Sequence, residues 1–290
     1  MTTPTEGAAN ALGGLFLRLF DDAATFPPGN APMPDAVKAH LRWRTGPDSA
    51  FVGPFVCPVS RLDELAAALG GTDARLQLSL IFPGGAAATT VEAALAAVHD
   101  GVDIVAVEVP VRPDQDVQQR CVELSPLRDA AADVYVELPW PLVGNEGVST
   151  LAASGFRLKL RTGGVTASGF PTEAELAHGI RAAVDAKVPF KLTAGLHHAV
   201  RHRDRATGFE HHGFLNVMVA TSEALLGRDL SDVLAALQER DADQLGAHLK
   251  RLSASVVSSA RSSFTSFGTC SIDEPLADLR ALHLLEGSAA

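Results

Sequence analysis

Charged side chains recur at alternate positions in four strand-like segments near the middle of the chain. They are Glu108, Glu137, Lys159 with Arg161, and Lys191. Residues i and i+2 of a strand share a face, so the aliphatic residues between these charges occupy the opposite face. Burying a charge costs free energy, so buried charges are normally paired with opposite charges or retained for a function. The pattern therefore indicates an ionic cluster with a catalytic role inside a barrel of parallel strands.

The two lysines on neighbouring segments predict amine chemistry. Each positive charge disfavours the other, and burial acts in the same direction, so both effects lower a lysine pKa. A neutral amine can attack a carbonyl carbon to form a Schiff base. Glu108, Glu137 and one aspartate after the first strand, Asp22 or its neighbour Asp21, are candidates for moving protons. The alternative is an ion network that only stabilises the barrel.

The segment Lys159-Leu-Arg-Thr162-Gly163 fits the pattern Lys-x-x-Thr-Gly. It resembles the sixth strand of the deoxyribose-phosphate aldolases, which are Schiff-base (class I) barrel aldolases. The resemblance is confined to strands six and seven, where Lys191 is similar to the second lysine of that family. It implies that Lys159 forms the Schiff base, that Lys191 tunes it, and that Glu108 or Asp22 supplies an acid.

Two features differ from that family. Arg161 places a charge inside the motif, and Thr193-Ala-Gly-Leu-His-His198 stands where a phosphate-binding glycine pair is expected. Both differences speak against a phosphorylated sugar as the substrate.

A histidine-rich stretch, 196–213, follows the seventh strand. It holds five of the ten histidines of the chain. Long loops in compact enzymes are usually functional, and imidazoles can bind substrates, move protons or hold a metal. No cofactor is expected, but a divalent metal such as Zn or Mg is the alternative, with His198, His211 and His212 as ligands. The residues predicted to bind substrate are Arg161, Thr193, His197, His198 and Asn216.

Strand and helix patterns alternate along the first three quarters of the chain. Helix-length stretches separate eight candidate strands, which predicts a (β/α)8 TIM barrel with its active site at the carboxyl ends of the strands. An open doubly wound sheet would usually carry a glycine-rich phosphate loop after its first strand, and the sequence has none there. Besides the four charged segments, the candidate strands are 14–20, 51–57, 76–82 and 214–220.

The pattern becomes helical after residue 222, with predicted helices at 230–240, 241–263 and 274–285. The polar stretch Ser266–Ser271 is predicted to be a connector between two of them. The expected organisation is a disordered N-terminus at 1–11, a barrel at 12–229, and C-terminal helices at 230–290 packed on the barrel.

Composition narrows the class of protein. The formal net charge of −10 argues against a nucleic-acid partner, because phosphate binding needs a basic face. The sequence contains no run of 18 apolar residues, so no membrane span is predicted. Met1–Asn10 lacks the features of a secretion signal. Three cysteines without metal-ligand spacing suit the reducing cytoplasm.

These observations predict a cytoplasmic barrel enzyme that acts on a small polar carbonyl compound by lyase or aldolase chemistry. A metal-dependent hydrolase or isomerase built on the histidine-rich stretch is one alternative. A non-catalytic barrel that binds a small molecule is another. The chain is also a candidate for assembly into a homo-oligomer.

Overall fold

The computed structural model describes residues 13–70, 72–98, 101–205 and 207–285. The predicted disordered segment 1–11 lies outside the described residues. Eight parallel strands close into a barrel. The chain is therefore a TIM barrel, as the alternation of strands and helices predicts.

The strand bounds show which segments form the barrel and which do not. The strands are β1 Phe20–Asp22, β2 Val52–Pro58, β3 Leu76–Ile81, β4 Val102–Pro110, β5 Asp133–Glu137, β6 Arg157–Arg161, β7 Phe190–Thr193, β8 His202–Arg203, β9 Glu210–His211 and β10 Phe264–Thr269. The spatial order in the closed barrel is β1-β10-β7-β6-β5-β4-β3-β2. A two-stranded hairpin made of β8 and β9 lies apart from the closed sheet.

The helices separate the barrel strands and cover them from outside. The C-terminal part of the chain adds several more helices than a simple strand–helix alternation requires. The helices are α1 Met33–Thr45, α2 Leu62–Leu69, α3 Ala88–Ala96, α4 Val117–Glu123, α5 Asn145–Ser154, α6 Glu173–Asp185, α7 Phe214–Leu225, α8 Leu230–Gln238, α9 Ala242–Lys250, α10 Ala254–Ser263 and α11 Asp273–Ala281.

The two faces of the central strands separate as the i, i+2 pattern predicts. Val107, Val136, Leu158 and Leu192 are fully buried and belong to the hydrophobic core. Burying one such side chain stabilises the fold by about 1.5–3 kcal/mol. Slipping a strand by one residue would expose several of these side chains and lose this stabilisation for each of them. Because the aliphatic side chains must stay in the hydrophobic core, the charged side chains project from the opposite face of the same strands.

One predicted strand, 214–220, is wrong because this segment lies within helix α7. Ten of the twelve residues of that helix are buried, including both ends of the predicted strand. A helix that is buried on nearly all sides has a continuous apolar sequence, which cannot be distinguished from a buried strand by periodicity.

The eighth barrel strand is instead β10, which pairs in parallel with both β1 and β7. The prediction of a connector at Ser266–Ser271 is therefore wrong. A register shift between Phe264 and Ser266 interrupts the alternation of this strand, and such an irregularity removes the period-two signal. The barrel consequently includes residues well beyond 229.

The remaining boundaries differ in smaller ways. Strand β1 has only three residues and begins at Phe20, so most of the predicted strand 14–20 precedes it. Leu15 and Phe16 are nevertheless fully buried, which explains their apolar character without a strand. The predicted helix 241–263 is two helices, α9 and α10. In the described part of the chain no helix has the length and apolar character needed to cross a membrane.

We expect Phe267→Ala to lower the free energy of unfolding by about 3–5 kcal/mol, because it removes a buried ring from the strand that closes the barrel. The Phe267 ring lies 5.4 Å from that of Phe20 and 5.3 Å from that of Phe214. Urea unfolding followed by circular dichroism would measure the loss. Leu17→Ala, at a side chain that is 49% exposed, is the control and should change stability little. Equal stabilities of the two variants would contradict the position of β10.

Candidate active site

Glu108 lies at the centre of a buried ion cluster inside the barrel. Its Oε2 is 2.5 Å from Nζ of Lys159, and its Oε1 is 2.6 Å from Nζ of Lys191. Ser79 on β3 donates a third hydrogen bond, from Oγ to Oε1 of Glu108 at 2.6 Å. All four side chains are almost completely buried. One carboxylate therefore holds both ammonium groups at a fixed separation.

The sheet register explains why these residues meet. Lys159 and Lys191 are directly opposed on β6 and β7, and Lys159 also lies opposite Glu137 on β5. Parallel strands in register bring side chains of the same face next to one another. The register therefore places Glu137, Lys159 and Lys191 together, while Glu108 is in register with Tyr135 and reaches both lysines through its side chain.

Glu137 and Arg161 extend the cluster towards solvent. Oε2 of Glu137 is 2.8 Å from Nζ of Lys159, and its Oε1 accepts a hydrogen bond from Nε of Arg161 at 3.3 Å. The Lys159 side chain is 2% exposed, that of Glu137 13%, and that of Arg161 52%. Exposure rises along this series, so a small molecule would approach Lys159 from the side of Glu137 and Arg161.

Asp21 completes the other end of the cluster. Its Oδ2 accepts hydrogen bonds from Nζ of Lys191 at 2.6 Å and from Oγ of Ser266 at 2.8 Å. Its Oδ1 has no hydrogen-bond partner among the described residues. Gly53 leaves room for this carboxylate, since a Cβ there would lie 2.3 Å from Oδ1 of Asp21.

The structure does not bring Asp22, the aspartate predicted to be catalytic, into the cluster. Its Oδ2 lies 3.0 Å from Nδ1 of His40, a buried residue of helix α1. Consecutive residues of a strand point to opposite faces, so only one of the two aspartates can face the interior. Asp21 is that residue.

Sequence reasoning missed the two serines that support the cluster. Ser79 could have been found by extending the i, i+2 rule to β3, because Gln77 and Ser79 interrupt an aliphatic strand. Ser266 carried no such signal, since it lies in the segment predicted to be a connector.

Both lysine pKa values are raised in the structure, so the prediction of lowered values is wrong. Burial by itself would lower the pKa of Lys159, but the charges of Glu108 and Glu137 outweigh burial and raise it. Burial likewise opposes the ammonium form of Lys191, whose pKa is raised by Asp21 and Glu108. Attraction by the carboxylate partners outweighs both burial and the repulsion between the two lysines.

The pKa values of the three carboxyl groups in the cluster shift in two different directions. Burial favours their neutral forms, but Lys159 and Lys191 hold the pKa of Glu108 far below its usual range. For Glu137 burial is likewise outweighed, by Lys159 and Arg161, and its pKa is lowered. The pKa of Asp21 is raised because burial outweighs its contact with Lys191. Asp21 is thus the carboxyl group of the cluster that most readily keeps a proton.

The five residues predicted to bind substrate do not all lie at the mouth of the barrel. Arg161 and Thr193 lie opposite each other at the ends of β6 and β7, at the mouth of the barrel. Asn216 lies in helix α7 instead, fully buried. Its side chain accepts a hydrogen bond from the backbone of Arg201 and donates to two carbonyls, of Ala236 and Glu239. It supports the packing of α7 against α8 and the residue that follows α8.

The histidine-rich stretch lies at the same mouth of the barrel, but its first two histidines pair with acidic residues of α11. Nδ1 of His197 is 3.0 Å from Glu274, and Nδ1 of His198 is 3.2 Å from Asp278, both on α11. Within the described residues, no hydrogen bond or ion pair connects either histidine to the ion cluster. The stretch therefore forms part of the rim and does not supply a group to the cluster.

The alternative metal ligands do not converge. His198 points to α11, and His211 lies against the Gly195 carbonyl at 3.2 Å. His212 is buried with Nε2 2.9 Å from the Pro171 carbonyl, and burial lowers its pKa to about 4. No group of three or more His, Cys, Asp or Glu residues is arranged to hold a metal ion within the described ranges.

Comparison with known proteins supports the fold. The chain is similar to the deoxyribose phosphate aldolase from Aeropyrum pernix, a tetramer, with a TM-score of 0.50 and 14% sequence identity over 97% of this chain and 100% of that chain. No protein-family model and no curated protein matches the sequence. At this level of identity, the shared feature is the barrel architecture, and a shared fold does not establish a shared chemistry.

We expect Glu108→Gln to lower the free energy of unfolding at pH 7 by about 3–5 kcal/mol, because two buried ammonium groups lose their shared counter-charge. The folded-state pKa of Glu108 is lowered, so its carboxylate stabilises the fold above its unfolded-state pKa of about 4.3. That stabilisation is lost as the pH falls below this value towards the folded-state pKa. The difference between variant and wild type should therefore shrink on acidification.

Urea unfolding at pH 7 and at pH 3.5 would measure both quantities. Glu64→Gln is the matched control, because Glu64 pairs with Arg61 on the surface and its loss should leave stability unchanged at either pH. A difference for Glu108→Gln that has the same size at both pH values would contradict the role of its charge.

Proposed function

We propose that this barrel is an aldolase-type lyase that uses Lys159 to form a Schiff base with a small polar carbonyl compound. The observation that carries the proposal is the position of Lys159 Nζ, which lies between the buried carboxylate of Glu108 and the partly exposed carboxylate of Glu137. A nucleophile thereby sits at the inner end of the path from solvent, with a proton acceptor on each side.

The raised pKa of Lys159 sets the first requirement of the reaction. An ammonium group has no lone pair, so its proton must move to a carboxylate before nitrogen can attack. Glu137 is the suited acceptor, because it is 2.8 Å away and less buried than Glu108. The amine then adds to the carbonyl carbon, and the carbonyl oxygen leaves as water after gaining two protons. One of these comes from Glu137 and the other from the attacking nitrogen.

The iminium ion then accepts the electron pair of the carbon–carbon bond that breaks. A hydroxyl on the departing carbon loses its proton to a carboxylate and becomes the carbonyl of the first product. The enamine left on Lys159 regains a proton at carbon, and water releases the second product and the free lysine. Lys191 does not need to form a bond in this scheme, because its contacts with Glu108 and Asp21 keep those carboxylates in place.

A non-catalytic barrel is the second candidate, and the raised lysine pKa values favour it. Each ammonium group is paired with two carboxylates, as in an ion network that only stabilises a fold. The two candidates differ in one measurable property, since only a catalytic Lys159 forms a covalent adduct with a carbonyl compound.

We also propose that the chain assembles into a homo-oligomer. The tetrameric assembly of the similar aldolase supports this. Sedimentation equilibrium would give the mass of the assembly, and a monomer at all concentrations would overturn the proposal.

We expect Lys159→Met to lose at least about a thousandfold in rate and all covalent trapping, because methionine keeps the length of the side chain without the amine. Incubation with small aldehydes or oxo acids and a borohydride reagent, followed by peptide mass spectrometry, would locate the adduct in the wild type. Lys191→Met should also slow the reaction, and the two losses should not add, since the residues share Glu108.

Lys38→Met, on the exposed face of α1, is the control and should trap and turn over like the wild type. If Lys159→Met still forms the adduct, or if no carbonyl compound is trapped by the wild type, Schiff-base chemistry at Lys159 is ruled out and the non-catalytic barrel is favoured.

A further inference from the structure

Arg161 is the positively charged group of the cluster that faces solvent. It lies two residues after Lys159 on β6, so both side chains project from the same face of one strand. The residue opposite Arg161 is Thr193, at the end of β7. The guanidinium therefore stands directly on the mouth side of the candidate nucleophile.

Most of the hydrogen-bonding capacity of Arg161 is unused. In the described part of the chain, its side chain makes a single hydrogen bond, from Nε to Glu137, and that bond is long at 3.3 Å. A guanidinium carries five N–H donors in a planar fork that matches a carboxylate. A half-exposed pair of this kind contributes little stability, so an incoming anion can compete for Arg161.

We propose that the substrate is a 2-oxo acid, with Arg161 binding the carboxylate that neighbours the carbonyl carbon attacked by Lys159. This inference rests on the proposed function of Lys159. It adds a substrate class and assigns the residue that selects it.

The position of Arg161 favours a carboxylate next to the carbonyl over a distant phosphate. One carboxylate, that of Glu137, contacts both Nζ of Lys159 and Nε of Arg161. An anionic group held by Arg161 is therefore close to any carbon bonded to Nζ. A carboxylate attached to that carbon fits such a spacing, whereas a phosphate several bonds away along a sugar chain would extend past Arg161.

A glycine on β10 leaves a small space beside these groups. Gly268 lies opposite Thr193 on β10, and a Cβ there would meet only the Thr193 Oγ1 at 3.5 Å and the Ala23 Cβ at 3.9 Å. The hydroxyl of Thr193 borders this space. A glycine at this position leaves room for one further methyl-sized group at the level of Arg161 and Thr193.

Binding of the carboxylate would also prepare Lys159 for attack. When the substrate takes the guanidinium from Glu137, that carboxylate loses a positive neighbour and becomes a better proton acceptor. Glu137 then receives the proton that Lys159 must lose, so charge is conserved within the cluster. A 2-oxo acid thereby promotes deprotonation of the Lys159 amine with which it reacts.

The test compares trapping of three probes by the wild type and by Arg161→Gln. Pyruvate is the simplest 2-oxo acid, acetone is a neutral carbonyl compound of similar size, and 2-deoxyribose 5-phosphate carries a distant phosphate. Cyanoborohydride reduces the iminium carbon and fixes each probe to lysine, so adduct mass can be followed against probe concentration. We expect the wild type to be half-saturated by pyruvate at a lower concentration than by either other probe.

Arg161→Gln should raise the half-saturating pyruvate concentration by roughly 10- to 100-fold, because a charge-assisted hydrogen bond is lost, and should not raise that for acetone, which has no carboxylate. Arg157→Gln is the matched control. Arg157 lies on the same face of β6 at the opposite end of the strand, paired with Asp133, and its loss should not alter either value.

The outcomes separate the two proposals. Failure of all three probes to form an adduct overturns the Schiff-base function itself. Adducts with no preference for pyruvate, or an equal effect of Arg161→Gln on pyruvate and acetone, overturn the assignment of a 2-oxo acid while the Schiff base stands. Tightest trapping of the phosphorylated sugar, weakened by Arg161→Gln, would reassign Arg161 to phosphate.

Discussion

The interior of this barrel has to neutralise its own charges, because buried ions without partners cost several kcal/mol each. Three carboxylates, of Asp21, Glu108 and Glu137, meet three cationic groups, of Lys159, Lys191 and Arg161, so the formal charges balance. Glu108 is the shared member, since it contacts both lysines. Loss of Lys191 would leave Asp21 without a cationic partner, and loss of any one carboxylate would leave a lysine with a single one. The cluster therefore constrains the strands that carry it.

The same constraint explains several features of the fold. Lys191 can reach Asp21 only because β10 lies between β7 and β1 and closes the barrel with a small residue, Ser266, at the contact. Gly53 must lack a side chain for the Asp21 carboxylate to fit. Closure of the barrel and charge balance within it are therefore achieved by the same residues.

Reactivity requires that this balance can be disturbed at one place. The buried half of the cluster, around Glu108 and Lys191, has short contacts and almost no exposure. The outer half, Glu137 with Arg161, has one long hydrogen bond and a half-exposed cation. An anionic ligand can replace that outer contact at little cost in stability, whereas no comparable exchange is available deeper in the barrel. The histidine-rich stretch borders this opening, but its first two histidines are bound to α11.

The sequence by itself determined the central strands, the face on which their charges lie, and the grouping of Glu108, Glu137, Lys159, Arg161 and Lys191, because alternation within a strand is a local property. Tertiary structure alone decided which segment closes the barrel, since a buried helix at 214–225 and an irregular strand at 264–269 have misleading periodicity. It also decided between Asp21 and Asp22 and reversed the expected direction of the lysine pKa shifts. Both depend on which partners lie across the barrel, and contacts between residues distant in the chain leave no local pattern.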